Sequence, residues 1–390
     1  MPDAPSPTQD TDRAGSDRAL IAALFGAGLL AAAQFGKIAL TLPDMGAAYG
    51  LAPVRLAYLV SIVGVTGILL GAMAGTVVAA LGARRVLLWA LWAGAAISVF
   101  QAFLPPEPVL ALTRIAEGAS HLVIVVAAPT LIAGAASDAA RPVAMAIWAT
   151  FFGVSFALAA VLFPPLLAAV GLPGLFALHG AGLAAMAVVL APMLRTQTRV
   201  PLRLDPVAVH RSIYAVPHRA MPGVCFVFYT VLFVALVALL PLALGRPALA
   251  GVLPVLTLAG TFLAGPLSRR LHPAAVMATG FAGTLLCAGL AAAELGGALW
   301  AMFLAMGLVP GGAFALIPHL NRAPADRALA TGGIAQMGNV GTTLGTPLFA
   351  GLYAAGGTAA IWAGIALFSL LGLAVLARFA HLIARPVPSA

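Results

Sequence analysis

The stretch Ala181-Gly-Leu-Ala-Ala-Met-Ala-Val-Val-Leu-Ala-Pro-Met-Leu194 carries no polar side chain on any face. A strand of a transmembrane barrel would alternate apolar and polar residues over about ten positions, and this segment does not alternate. Lipid offers no partner for an unpaired backbone group, so a continuous apolar run of this kind spans a bilayer only as a helix.

The same reading extends along the chain in both directions. A span needs about 20 mostly apolar residues. Runs of that kind are predicted at about 19–42, 54–80, 84–104, 108–136, 141–170 and 172–194, and again at about 220–244, 248–271, 273–294, 296–320, 327–354 and 357–384. The fold class expected is an all-α membrane protein with twelve transmembrane helices in two six-helix bundles, residues 19–194 and 220–384. Residues 1–18, polar and Asp-rich, read as a disordered cytoplasmic tail, 195–219 as a central cytoplasmic loop rich in Arg and Pro, and 385–390 as a second cytoplasmic tail. The first apolar run is long enough to span and lacks a basic leader, so it does not read as a cleavable signal. Composition agrees: 62% of the 390 residues are hydrophobic and 8% charged, against about 25% charged in soluble domains.

A net charge of +9 on a soluble chain would suggest a nucleic-acid partner. Here the basic residues are explained by sidedness, and no nucleic acid is expected. With the N-terminus in the cytoplasm, Arg13, Arg18, Arg84, Arg85, Arg141, Arg195, Arg199, Arg203, Arg211, Arg219, Arg269, Arg270, Arg322, Arg327, Arg378 and Arg385 all fall on the cytoplasmic side. Only Arg55 and Arg246 fall opposite. This is the asymmetry of the positive-inside rule, and it predicts a bacterial inner-membrane protein with both termini cytoplasmic. Cys225 and Cys287 lie inside apolar runs without metal-ligand spacing, so neither a disulfide framework nor a zinc site is expected.

Several motifs recur between the halves. Gly75-Thr-Val-Val-Ala-Ala-Leu-Gly82-Ala-Arg84-Arg85 follows the second run, and Gly265-Pro-Leu-Ser-Arg269-Arg270 follows the eighth. Leu42-Pro43-Asp44 closes the first run, Arg114-Ile-Ala-Glu117-Gly118 sits in the fourth, and Gly338-Asn339-Val-Gly341-Thr-Thr-Leu-Gly345-Thr-Pro347 in the eleventh. In this order the set resembles the major facilitator superfamily of secondary transporters. Ala79 and Ala80 replace the acid and the basic residue usual in that family's loop signature. The resemblance implies alternating access between two bundles, function as a monomer, no enzyme activity and no cofactor. It also implies that Gly67, Gly71 and Gly75 of the second helix, with Gly341 and Gly345 of the eleventh, form a sliding interface between halves; as spacing alone, they are small residues that let helices approach closely.

Charges within a span carry the functional signal, because an Arg or Lys at mid-helix costs about 2.5–3.5 kcal/mol even on lenient scales. Arg114, Glu117 and His121 stand at i, i+3 and i+7 and share one helix face. They either form a permanent structural pair or face a polar cavity and titrate as solute binds, which is the minimum for proton coupling. Lys37, three residues after Gln34, either snorkels to the outer interface or joins that cavity. In the second case two cations outnumber one acid, favouring an anionic or zwitterionic solute. Gln336 and Asn339 in the eleventh helix are expected either to bond solute or to bond helix to helix. His179 and His319 are ambiguous. Trp148, Phe151, Phe152 and Tyr229 either line an apolar part of the site or simply pack.

Met302 and Met306 at i and i+4 suit Cu(I) chemically, but no His stands beside them, so no metal site is assigned. The family's antiporters carry a Gly-Pro pair late in the fifth helix, where this chain reads Phe163-Pro164-Pro165. Proton-coupled uptake is therefore placed ahead of efflux of an amphipathic compound by antiport. Copper import and a nontransporting solute sensor rank lower. A membrane enzyme is disfavoured, since there are no paired intramembrane acids, no Gly-x-Ser-x-Gly and no phosphate loop.

Overall fold

The structure is a computed structural model describing residues 16–137, 140–148, 150–195, 205–322 and 324–384. The tail expected at 1–18 falls outside the described residues except for its last three positions, as do the tail at 385–390 and residues 196–204 of the central loop. Helix is the only regular structure among the described residues.

Ten helices are long and apolar enough to cross a membrane. Two of these are double. The helix Phe151–Met193 has 43 residues, about 65 Å at 1.5 Å per residue, or twice the hydrocarbon thickness. It is broken at Gly171, whose φ of 67° is left-handed. Pro324–Ala384, with 61 residues, is broken likewise at Gly356 and Gly357, the latter at φ 61°. Left-handed backbone is available to Gly at no steric cost, so each break lets the chain reverse between spans. The result is twelve membrane helices.

They are α1 (Arg18–Ala39), α2 (Gly64–Leu81, entered through single turns at Pro53–Leu56 and Tyr58–Ser61), α3 (Ala83–Gln101) and α4 (Glu107–Ala135). After a short helix Arg141–Trp148 come α5 (151–170) and α6 (172–193). The second half holds α7 (Pro217–Ala243), α8 (Leu249–Arg270), α9 (Pro273–Ala292), α10 (Ala298–Leu320), α11 (324–355) and α12 (358–384). Many begin on a proline in the first turn, where its missing N–H is no loss. α1 begins on Asp17, whose carboxylate accepts from the Leu20 amide at 3.0 Å.

Two local expectations change. Leu42-Pro43-Asp44 does not close α1, which ends at Ala39; with Pro43 near its start, Leu42–Tyr49 forms a separate short helix. The central stretch is not all loop, because Asp205 caps a helix Pro206–Tyr214 by accepting from the Ala208 amide at 2.8 Å.

Hydrophobicity does not drive helix association in lipid, so close packing must. Large apolar side chains such as Leu112, Val161, Val188 and Leu286 remain exposed, on the surface that lipid covers. Interior contacts use small residues. A Cβ on Gly341 or Gly345 would strike Thr230 or the Val231 carbonyl of α7, and one on Gly260 or Gly307 would strike the backbone across the α8–α10 crossing. In α7 every residue from Tyr229 to Pro241 is buried, as are Gln34 to Ala39 of α1. Those segments lie toward the arginine-poor end of the molecule.

The halves meet along α2 and α11 and along α5 and α8. Gly64, Gly67 and Gly71 of α2 face Thr343, Asn339 and Gln336 of α11, whereas Gly75, one turn nearer the arginine-rich end, meets nothing within 4 Å. The glycine stripe of α2 thus faces the other half, while the stripe of α11 faces α7 within its own half.

Candidate functional site

The charged residues of α1 and α4 converge inside the first bundle. Lys37 Nζ lies 2.6 Å from Glu117 Oε1, an ion pair between α1 and α4, and Arg114 donates from a terminal guanidinium nitrogen to Glu117 Oε2 one turn away on its own helix. None of the three side chains exposes any surface. Lys37 therefore does not snorkel.

Each cation is held by further acceptors. Lys37 donates to Gln101 Oε1 at 2.7 Å and to Ser98 Oγ at 3.0 Å, both on α3, beside its ion pair with Glu117. Arg114 donates through Nε to the Leu59 carbonyl at 3.1 Å and through its other terminal nitrogen to the Gln34 carbonyl at 2.7 Å. Leu59 belongs to the turn leading into α2, so Arg114 ties α1, α2 and α4 together. Gln101 Nε2 donates to Glu117 Oε2 at 3.1 Å. With both cations and the acid ionised, the buried cluster carries one excess positive charge.

His121 and Gln34 border the cluster. The carbonyl of Ala31 only accepts, so His121 Nδ1, 2.8 Å away, carries the proton; no partner for Nε2 occurs among the described residues. The ring stands edge-on to Phe35 at 5.0 Å. Gln34 Nε2 reaches Ser120 Oγ at 3.3 Å, while its Oε1 is buried without a hydrogen bond. A series of rings runs from here into the second half: Trp148 on Phe151, Phe152 on Phe156 at 5.0 Å, Phe156 against Phe233 at 5.6 Å, and Tyr229 stacked on Phe233 at 5.5 Å.

Gln336 and Asn339 do not join this cluster. Gln336 lies where α2, α11 and the central helix meet: its Nε2 donates to the Ile68 carbonyl at 3.0 Å and to His210 Nε2 at 2.9 Å, and its Oε1 accepts from the Tyr214 hydroxyl at 2.7 Å. Asn339 donates to the Ala335 carbonyl of its own helix and packs on Gly67. Both serve the interface between halves. His319 meets His272 ring to ring at 4.3 Å, at the arginine-rich end. Met302 and Met306 are buried in the apolar core, and among the described residues no group of three His, Cys, Asp or Glu is placed to hold a metal.

Sequence reasoning missed Ser98 and Gln101 of α3. Their signal was available: two polar residues at i and i+3 in an otherwise apolar span. His179, left ambiguous, lies beside Ser98, with Nδ1 2.9 Å from its Oγ and Nε2 3.0 Å from the Leu30 carbonyl.

The family model for the major facilitator superfamily matches residues 24–320. The chain belongs to the major facilitator superfamily. A comparison with curated proteins by sequence finds no match. Among solved structures, a bacterial homolog of the human lysosomal transporter Spinster is similar in two inward-facing conformations. The unoccupied one aligns with a TM-score of 0.67 at 15% identity over 96% of this chain and 100% of that one. The occupied one aligns with a TM-score of 0.70, also at 15% identity, over 95% and 98%. The human organic anion transporter MFSD10 (TETRAN) aligns with a TM-score of 0.68 at 18% identity over 92% and 99%. These likenesses establish the superfamily fold along nearly the whole chain. Superfamily membership places the protein with membrane transporters and not with enzymes.

Within the superfamily's loop signature, Gly82 joins α2 to α3 at φ 90°. Arg84 then donates to the Ala191 carbonyl near the end of α6 at 3.1 Å, and Arg85 lies over the Trp89 ring at 4.3 Å. With Ala79 and Ala80 in place of charges, Arg84 and Arg85 anchor the helix end to a carbonyl and an aromatic face instead of an acid.

Proposed function

We propose that the protein is a secondary active transporter that takes up a small organic anion or zwitterion by proton-coupled alternating access across the bacterial inner membrane, working as a monomer with both termini in the cytoplasm. The observation that carries this reading is the buried Lys37–Glu117–Arg114 cluster, in which two cations share one acid. An uncompensated buried charge is expensive, so a solute that brings a carboxylate or phosphate to Arg114 or Lys37 gains more in this site than in water. A solute cation gains nothing here. His121 Nε2 and the ring series beside it offer a further polar contact and an apolar wall for the rest of the solute. The arginine-rich face supports cytoplasmic termini, and the dense packing at the opposite end supports an inward-facing arrangement.

The test is a thermal-shift screen of detergent-purified protein against small organic anions, zwitterions, cations, vitamins and Cu(I). A ligand at 100 times its Kd should stabilise by about 2.7 kcal/mol. Anions or zwitterions are expected to raise Tm, and Arg114→Ala, expressed and inserted normally, is expected to lose both that shift and uptake in vesicles. Stabilisation by lipophilic cations with anions silent would overturn the reading in favour of efflux, and unchanged uptake by Arg114→Ala would remove the cluster from the site.

A further inference from the structure

We propose that His179 and Ser98 form a relay holding the coupling proton alternately with Lys37, an inference that rests on the proton-coupled reading above. His179 lies on α6 and is 8% exposed; Ser98, on α3, is fully buried. The argument begins with hydrogen positions. The Leu30 carbonyl can only accept, so His179 Nε2, 3.0 Å away, carries a hydrogen in every state. Ser98 Oγ accepts from Lys37 Nζ at 3.0 Å and has one proton of its own, with two places to put it: the Phe176 carbonyl at 2.9 Å and His179 Nδ1 at 2.9 Å.

Both protonation states of His179 are therefore satisfied by the same heavy atoms. When the imidazole is neutral, Ser98 donates to Nδ1. When it is charged, Nδ1–H donates to Ser98 Oγ and the serine proton turns to the Phe176 carbonyl. Few buried histidines keep a full set of bonds in both states, and this one is joined by a single hydroxyl to a buried ammonium group. The transfer balances without any other reactant. Lys37 Nζ gives a proton to Ser98 Oγ as Ser98 gives its own to His179 Nδ1, leaving a neutral amine and an imidazolium and no change in total charge.

Moving the charge from Lys37 to His179 takes it off the ion pair that ties α1 to α4 and leaves Glu117 paired with Arg114 alone. The position of one proton then decides whether α1 and α4, the two helices that carry the solute-binding charges, share an ion pair, while the bonds from Arg114 to the Gln34 carbonyl and from His121 to the Ala31 carbonyl stay in place. Among the helices packed against α6, α1 presents Lys37, whose ammonium lies 5.2 Å from the centroid of the Phe176 ring, one turn before His179. α3 presents the neutral Ser98, its Arg84 and Arg85 lying at the other end of the helix. Glu117 and Arg114 of α4 lie behind Lys37, with His121 on the same helix.

The test needs no solute. Protein labelled with 15N-histidine and reconstituted in lipid is titrated from about pH 8 to about pH 3, a range wide enough for a buried imidazole to change charge, and the His179 signals are assigned by their loss in His179→Gln. His179 Nδ1 is expected to pass from the bare to the protonated chemical shift while Nε2 stays protonated throughout. In Ser98→Ala the midpoint is expected to move by about one pH unit or more, while in His210→Gln it stays in place. If His179→Gln does not fold, the signals are assigned by their loss in His179→Asn instead. A His179 Nδ1 that keeps one protonation state across this range, or a midpoint indifferent to Ser98→Ala, overturns the relay. Failure of the underlying reading would look different: solute accumulation by the unaltered protein would not respond to an imposed pH gradient, whatever the histidine spectrum shows.

Discussion

Among the described residues Glu117 is the only acid touching either buried cation, and its position between Lys37 and Arg114 makes it the side chain least open to change. Removing one member of a buried ion pair costs about 3–5 kcal/mol, because the partner stays charged and unpaired. Glu117→Gln should therefore lower the thermal stability of purified protein by that order. Lys37→Met placed in the same chain restores the wild-type excess of one positive charge, so the double variant should be more stable than Glu117→Gln alone. Strict additivity of the two changes in a double-mutant cycle would show that Lys37 and Glu117 are not energetically coupled. The i, i+3, i+7 spacing of Arg114, Glu117 and His121 was legible because periodicity places them on one face. That Lys37 meets them was not, since a lysine near a helix end can equally run to the interface, and only the packing of α1 on α3 and α4 removes that option.

The central helix Pro206–Tyr214 is held by polar contacts. The Pro206 carbonyl takes the His210 Nδ1 proton at 2.7 Å, which leaves Nε2 as an acceptor for Gln336, while Tyr214 donates to the Gln336 carbonyl oxygen. Burial pushes the Tyr214 hydroxyl from 10.0 up to about 12. A raised folded-state value means that this contribution to stability is complete below about pH 10 and is lost as the pH rises toward 12. Tyr214→Phe should remove about 1 kcal/mol at neutral pH and flatten that part of the alkaline decline, measured as Tm against pH beside the unaltered protein. An alkaline profile identical in the two proteins would show that this bond does not hold the helix. The sequence reads this stretch as a loop rich in Arg and Pro, and a nine-residue helix has little stability of its own; contacts with α2 and α11 make it form.

The alternating access proposed above requires the contact between halves to loosen at one end as it tightens at the other. The α2–α11 seam is where this can be arrested. A Cβ built on Gly64 lies 3.3 Å from Thr343 Cβ, close to the 3.5–4.5 Å separation of a disulfide. The pair Gly64→Cys and Thr343→Cys should cross-link on oxidation, abolish solute accumulation in vesicles, and recover it on reduction. Full transport by demonstrably cross-linked protein would show that this seam does not move. Gly67 tests the same seam by bulk: its Cβ would meet the Asn339 side chain, so Gly67→Leu should depress transport more than it depresses Tm.

Twelve spans were readable from residue order, because the length of an apolar run is a local property that lipid reads directly. The two reversals fall where the runs 141–170 and 172–194, and 327–354 and 357–384, were divided, although the glycines that make them, Gly171 and Gly357, came from the structure. Partnership was not local. Ser98, Gln101 and His179 became part of the charge cluster, and Gln336 and Asn339 part of the seam, through contacts between helices 60 to 270 positions apart in the chain. The face a polar residue presents is set by its own helix; the group it meets there is set by the packing of the bundle.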